Sequence, residues 1–405
     1  MVDARQMQVL VIRLVLVTVL LLLLLSKGPY LLPRLQLPQL SSLLPSPPPQ
    51  APSIQPLPPQ QKIKEHHPVF DKSCYKYHPN LTAENICCKI ANFSGSVSVI
   101  HKCITEANNH LLNKERNNKM SDKNSGSIVA SSTTTVGASN TTEGGEVAAT
   151  GEHWAIFGDS HMRYLFTAFL TRLRSPTLQY RLKTDTKKWV SIAPLEKKMY
   201  RNKIWEKIEA RDLSINFHMT FYWDIWLMEL PKMLSKWEKN PQLTPTLVIL
   251  AAALHWMVRT QSIYQSQGTE AAANEYRKHF RSMKAQLTRL AARTTVVFKL
   301  FDDVRIANRP NKQISANNRS NYGLYNKVVV EELAGTGVII WDSTLPLSRA
   351  YSLYCDIYPR HTPPWYQWKC EDVGHVGYIL VDQYADMIFN DYCNRYLKLG
   401  KDYCA

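Results

Sequence analysis

From His153 to the C-terminus, short apolar runs alternate with longer segments of helical spacing, and this alternation constrains the fold more than any other feature of the sequence. "WAIFGDS" (154–160) reads as a strand entering a sharp turn, and "MRYLFTAFLTRL" behind it has helical spacing. "LSINFHMTFYW" (213–223) reads as a strand and "TLVILAAALHW" (246–256) as a buried one. A helical segment over 270–293 precedes the strand "TVVFKLFDD" (295–303). A further helix over 325–335 precedes the strand "GVIIWDS" (337–343), and "GYILVDQYADMIFNDY" (377–392) forms the last helix. Strands alternating with helices predict an α/β chain, a three-layer α/β/α sandwich around a central parallel sheet. In such sheets ligands sit at the carboxyl ends of the strands. The first strand places its Gly-Asp-Ser turn at that edge.

The segments ahead of this body have other compositions. Leu14–Leu25 is an unbroken apolar run, and counting back to Val9 brings it close to the roughly 20 residues a membrane span needs. Arg5 and Arg13 lie on its N-terminal side, as the positive-inside rule prefers. Residues 1–28 are therefore expected to be a short cytoplasmic tail and an uncleaved signal anchor. A cleaved signal peptide and a buried helix are the alternatives. Residues 29–70 form an expected stalk, in which the prolines of 29–62 favour extended chain. Residues 71–117 carry four of the eight cysteines. Residues 118–150 are rich in Ser, Thr and Gly, without aromatics, and read as a disordered insert. The folded catalytic body is expected over 151–405. This layout is that of a single-pass type II protein of the Golgi or secretory-pathway membrane with its body in the lumen, or of a secreted protein if the N-terminus is cleaved.

The cysteines agree with that compartment. Cys74, Cys87, Cys88 and Cys103 precede the body's middle, Cys355, Cys370, Cys393 and Cys404 follow it, and none lies between 104 and 354. No CxxC pair is present, and adjacent Cys87 and Cys88 suit zinc poorly, so disulfides are the better reading. Their connectivity is not legible from sequence. Sequons at Asn80, Asn92, Asn140 and Asn318 fit a luminal chain. A net charge of +16 would suggest nucleic acid in a cytosolic protein, but behind an anchor the available polyanions are acidic glycans and lipid surfaces. No nucleic-acid partner is expected. A basic, aromatic-bearing stretch over 181–207 (Lys187, Lys188, Lys197, Lys198, Arg201 and Lys203 beside Trp189, Tyr200 and Trp205) is either a site for an acidic glycan or a solvated face.

Chemistry concentrates in two motifs. "FGDSH" (157–161) sets Ser160 after a buried strand and at a helix start, where free backbone N–H groups can stabilise an oxyanion. Gly158 permits the tight turn. The alternative is that Asp159 and Ser160 merely cap the helix. "CEDVGHVG" (370–377) places Asp372 and His375 three residues apart ahead of the last helix. A carboxylate there can orient the imidazole, which takes the serine's proton. Alternatively the pair is a cap and a surface histidine.

With "FGDSHMRYLF", "DVGH" and "VILAAALHW" together, residues 153–395 resemble the SGNH/GDSL superfamily. Within it they are most similar to the PC-esterase and trichome-birefringence-like branch, near the luminal domain of sialate O-acetyltransferases and the neurexophilin-and-PC-esterase proteins. The resemblance implies Ser160 as nucleophile, His375 as general base and acid, Asp372 as its orienting partner, and no metal or tightly bound cofactor. It implies transfer or hydrolysis of acyl groups, chiefly O-acetyl, on a glycan or glycoprotein. A transferase would use an acyl donor such as acetyl-CoA or another acetylated compound. Arg163 falls where the branch has its arginine, for binding substrate, supporting the turn or forming an ion pair. The family's oxyanion asparagine has no counterpart in Ala251-Ala252-Ala253-Leu254-His255-Trp256. Asp159 and His255 are the polar groups at hand, with His255 either donating to the oxyanion or packing. That gap keeps open a second class, a catalytically inactive protein of the same fold that binds glycan or protein.

Overall fold

A computed structural model describes residues 67–78, 81–93, 95–124, 151–184, 188–192, 204–305, 318–359, 370–397 and 399–404. The anchor, nearly all of the stalk, residues 125–150, the sequons at Asn80 and Asn140, and Lys187, Lys197, Lys198, Tyr200, Arg201 and Lys203 lie outside the described residues. Among the described residues no helix is long and apolar enough to cross a membrane.

A two-stranded hairpin (β1 Tyr75–Tyr77, β2 Ala83–Asn85) precedes helix α1, Val97–Asn124. Along α1, Ile100, Cys103, Ile104 and Ala107 recur at helical spacing and are fully buried. This helix continues to Asn124, so the first residues of the stretch read as disordered from 118 are helical. Then follow β3 (Glu152–Gly158), α2 (Ser160–Arg172), β4 (Leu178–Leu182), β5 (Val190–Ser191), β6 (Ile208–Asp212) and β7 (Phe217–Trp223). Next are α3 (Leu230–Lys239), β8 (Leu247–Leu250), α4 (Leu254–Arg259), α5 (Gln261–Gln267) and α6 (Thr269–Ala291). The chain closes with β9 (Thr295–Lys299), α7 (Arg319–Leu333), β10 (Ile339–Trp341), α8 (Thr344–Ile357) and α9 (Tyr378–Leu397).

The main sheet has eight strands in the order β10-β9-β8-β3-β7-β6-β4-β5. From β10 to β7 the neighbours are parallel, whereas β6, β4 and β5 continue the sheet antiparallel. The expected parallel sheet is thus a mixed one. The cause is local: Leu213–Asn216 is a tight turn rather than strand. Asp212 accepts from the Ser214 backbone, and Asn216 has a left-handed φ of 49°. A hairpin of this kind can only return antiparallel.

Alternation along β3 sends Trp154 and Ile156 to one core and Ala155 and Phe157 to the other. The first core packs under α1, α2, α8 and α9 and the second under α3, α4, α6 and α7, giving three layers. The first cysteine group belongs to this body: Cys74 and Cys103 sit in the first core. All eight cysteines are disulfide-bonded, Cys74–Cys87, Cys88–Cys404, Cys103–Cys393 and Cys355–Cys370. The two long bridges tie the N-terminal segment to the C-terminal end. In a chain-entropy treatment each of them, taken singly, stabilises by about 6 kcal/mol against about 3 kcal/mol for the short loops.

Candidate active site

Strand β3 runs between β7 and β8, and its last residue, Gly158, has φ +153°. A Cβ at Gly158 would lie 2.5 Å from Met162 Cγ and 2.8 Å from the Ala251 carbonyl oxygen. Only glycine lets the chain turn there while the end of β8 passes so closely. Asp159 caps α2, its carboxylate accepting from the His161 backbone N–H at 2.9 Å. The capping role weighed for Asp159 is therefore real, but it leaves Ser160 at the first helical position. There its amide is among those a helix leaves without an internal partner.

Ser160 Oγ lies 2.6 Å from His375 Nε2, across 215 residues of sequence. His375 Nδ1 lies 2.9 and 3.0 Å from the two oxygens of Asp372. Asp372 also accepts from the Gly374 N–H at 3.1 Å, which orients the carboxylate. With Nδ1–H donating to Asp372, Nε2 is left as the acceptor facing the serine hydroxyl. Burial lowers the His375 imidazole below its ordinary 6.5; Asp372 opposes this and His161 adds to it.

Two rings of α2 hold His375 in place. His161 lies 4.8 Å from it between centroids and Tyr164 4.9 Å, and Tyr164 in turn packs on Tyr378 at the start of α9. Upstream, Cys370 is buried and bridged to Cys355 of α8. Its carbonyl accepts from Arg305 at 2.6 Å, and Arg305 pairs with Asp356 at 2.7 Å.

The β8 end differs from expectation. The strand stops at Leu250, and Ala251–Ala253 lead into α4, so His255 is helical rather than a strand terminus. Its Nε2 lies 3.9 Å from Asp159 Oδ2, and burial lowers its pKa. Asp159 and His255 are thus drawn to the same edge as Ser160.

Arg163 is not. Its guanidinium is buried, donates to the Ile204 carbonyl at 2.7 Å and lies over the Trp223 ring. Among the described residues no carboxylate partners it, and these contacts fasten residue 204 against the strand that carries Trp223. The position one turn into a helix whose residues 162–170 are all buried explains this.

Sequence reasoning missed the charged cluster behind His375. His161 Nδ1 lies 3.8 Å from Asp302 Oδ2, just past β9, and Asp302 pairs with Lys299 at 2.8 Å, both nearly inaccessible. Tyr384 of α9 donates to Asp302 at 3.3 Å. Burial would raise the Asp302 carboxyl, but Lys299 and His161 together hold it below its ordinary range. The Asp-Asp pair ending "KLFDD", at the ligand-binding edge of a buried strand, was the available signal.

No family model matches this chain, and no curated protein matches it. A crystal structure described as a GDSL-like lipase from Parabacteroides merdae aligns with 59% of this chain and 94% of its own, at 11% identity and a TM-score of 0.31.

Proposed function

We propose that this chain is a serine-dependent esterase or O-acyltransferase of SGNH/GDSL type, with Ser160, His375 and Asp372 as its triad. The observation that carries the reading is the continuous hydrogen-bonded relay from Ser160 Oγ through the His375 ring to Asp372. A helix cap beside a surface histidine would have no reason to form it. In the reaction, Oγ forms a bond to the acyl carbon as its proton passes to Nε2. That proton then goes to the leaving oxygen as the ester bond breaks. Water or a sugar hydroxyl resolves the acyl-Ser160 intermediate, its proton returning through His375. The Ser160 amide and His255 are the candidates to stabilise the oxyanion.

We take the substrate to be an O-acylated, chiefly O-acetylated, glycan, acidic ones included, met in the secretory pathway by a chain anchored through its N-terminus. In support of an acidic substrate, Arg181 and Arg211 both lie over Trp189 on one face of β4 and β6, where Glu209, the acid among them, pairs with Arg181 and Lys207. A transferase would draw on acetyl-CoA or another acetylated donor. The second reading, a glycan- or protein-binding protein without turnover, is favoured by the absence of an amide side chain at Ala251–Ala253.

Fluorophosphonate labelling of the purified chain separates the two. Labelling that Ser160→Ala and His375→Ala both remove, with folding intact, is the expected result. A well-folded wild type that takes no label moves the assignment to the binding protein.

A further inference from the structure

His161 has no part in the relay, yet its ring packs directly on the base, as that of Tyr164 does. Its ring is 4.8 Å from that of His375 and meets Phe301 edge-on at 5.3 Å. Its Nδ1 faces Asp302 at 3.8 Å, while Nε2 is buried with no hydrogen-bond partner among the described residues. The groups around it come from every neighbouring element. They are Asp159 at the α2 cap, Asp302 and Lys299 at the end of β9, His375 with Asp372 behind it, Tyr384 of α9 through Asp302, and His255 of α4.

Resting on the triad reading above, we propose that His161 is a positioning residue for His375: its ring braces the base toward Ser160, and its charge keeps that base neutral and proton-accepting in mildly acidic surroundings. The sign follows from the neighbours. A cation beside an imidazole disfavours a second cation, so a protonated His161 opposes protonation of His375. Two carboxylates face His161, and they favour its charged form. Burial alone would lower His161, but Asp159 and Asp302 outweigh it and the net direction is upward. His375 moves downward, with His161 among the causes. As pH falls, the proton therefore goes first to His161, and His375 stays able to accept from Ser160.

The test is a histidine-ring NMR titration of the full chain as wild type, His161→Gln and His161→Phe, with fluorophosphonate labelling rates against pH on the same samples. Both variants remove the charge, and Phe keeps the ring. The His375 midpoint should rise by about one unit or more in both, and the acid limb of labelling should move with it. An unmoved His375 midpoint in both overturns the proposal. So does a midpoint that shifts in Gln and returns to wild type in Phe, which leaves only a packing ring. If neither variant folds, the wild type decides: coupled, two-step titration of both rings is expected, and a single-step His375 midpoint at or above 6.5 overturns the idea. Failure of the triad reading looks different. It is a wild type that takes no label, whatever its histidine midpoints.

Discussion

The two halves of the relay are built by different means. Ser160 stands two residues beyond a strand hydrogen-bonded on both sides, at the start of a helix in which residues 162–170 are all buried. Its position is a property of the sheet. Asp372 and His375 lie on the segment before α9, whose fixed points are a disulfide at Cys370, an arginine on the Cys370 carbonyl, and two rings of α2 against the imidazole. The nucleophile is set by the core and the base by cross-links. Damage to the first should therefore appear as lost stability, and damage to the second as lost rate in a protein that still folds.

The largest effect that would sharpen this contrast is on the base side. Asp372→Asn should lower the labelling rate by about 10⁴-fold, because the amide favours the wrong imidazole tautomer, with little change in melting temperature. A loss below about tenfold would remove Asp372 from the relay. On the nucleophile side, Gly158→Ala sets a Cβ against Met162 and the Ala251 backbone and should cost about 3 kcal/mol of stability. Denaturant unfolding measures it, and an unchanged midpoint would break the contrast. Replacing Cys355 and Cys370 together by Ala should lower labelling by about 10²-fold through misplacement of the base, while circular dichroism stays native. Equal loss of structure and rate would show that the bridge, whose two cysteines are buried in the first core, holds the fold rather than the base. The smallest effect is expected from Arg305→Ala, about 1 kcal/mol in labelling activation free energy from the lost bond to Cys370. No change at all would leave the disulfide and the two rings of α2 as the tethers of the base.

How much was legible follows the same division. "WAIFGDS" was readable because a central strand buried on both faces must be apolar throughout. β4 "LQYRL" and β6 "IEARD" were not, because they are short, lie near the sheet edge and alternate buried with half-exposed residues. The strand reading of 246–256 ran too far because Ala251–Ala253 and Leu254 suit a buried strand and a buried helix equally. Helix α8 was passed over although Pro346 in its first turn is where a helix tolerates proline. Arg163 was singled out by its place in a motif, and the contacts of its buried guanidinium with the Ile204 carbonyl and Trp223 are set by strand order rather than by that motif.

By itself the sequence determined the class of the fold, the strand–turn–helix that presents Ser160, and the Asp372–His375 pair. Each of these rests on interactions within a few residues: hydrophobic period, a glycine-dependent turn, an i,i+3 carboxylate. Only the tertiary structure brought His375 to within 2.6 Å of the serine from 215 residues away, and only it decided which cysteines pair, that the sheet turns antiparallel after β7, and that Asp302 and His161 stand behind the base. Those contacts depend on strand order and on loops whose ends meet in space, and no local pattern in the chain encodes them.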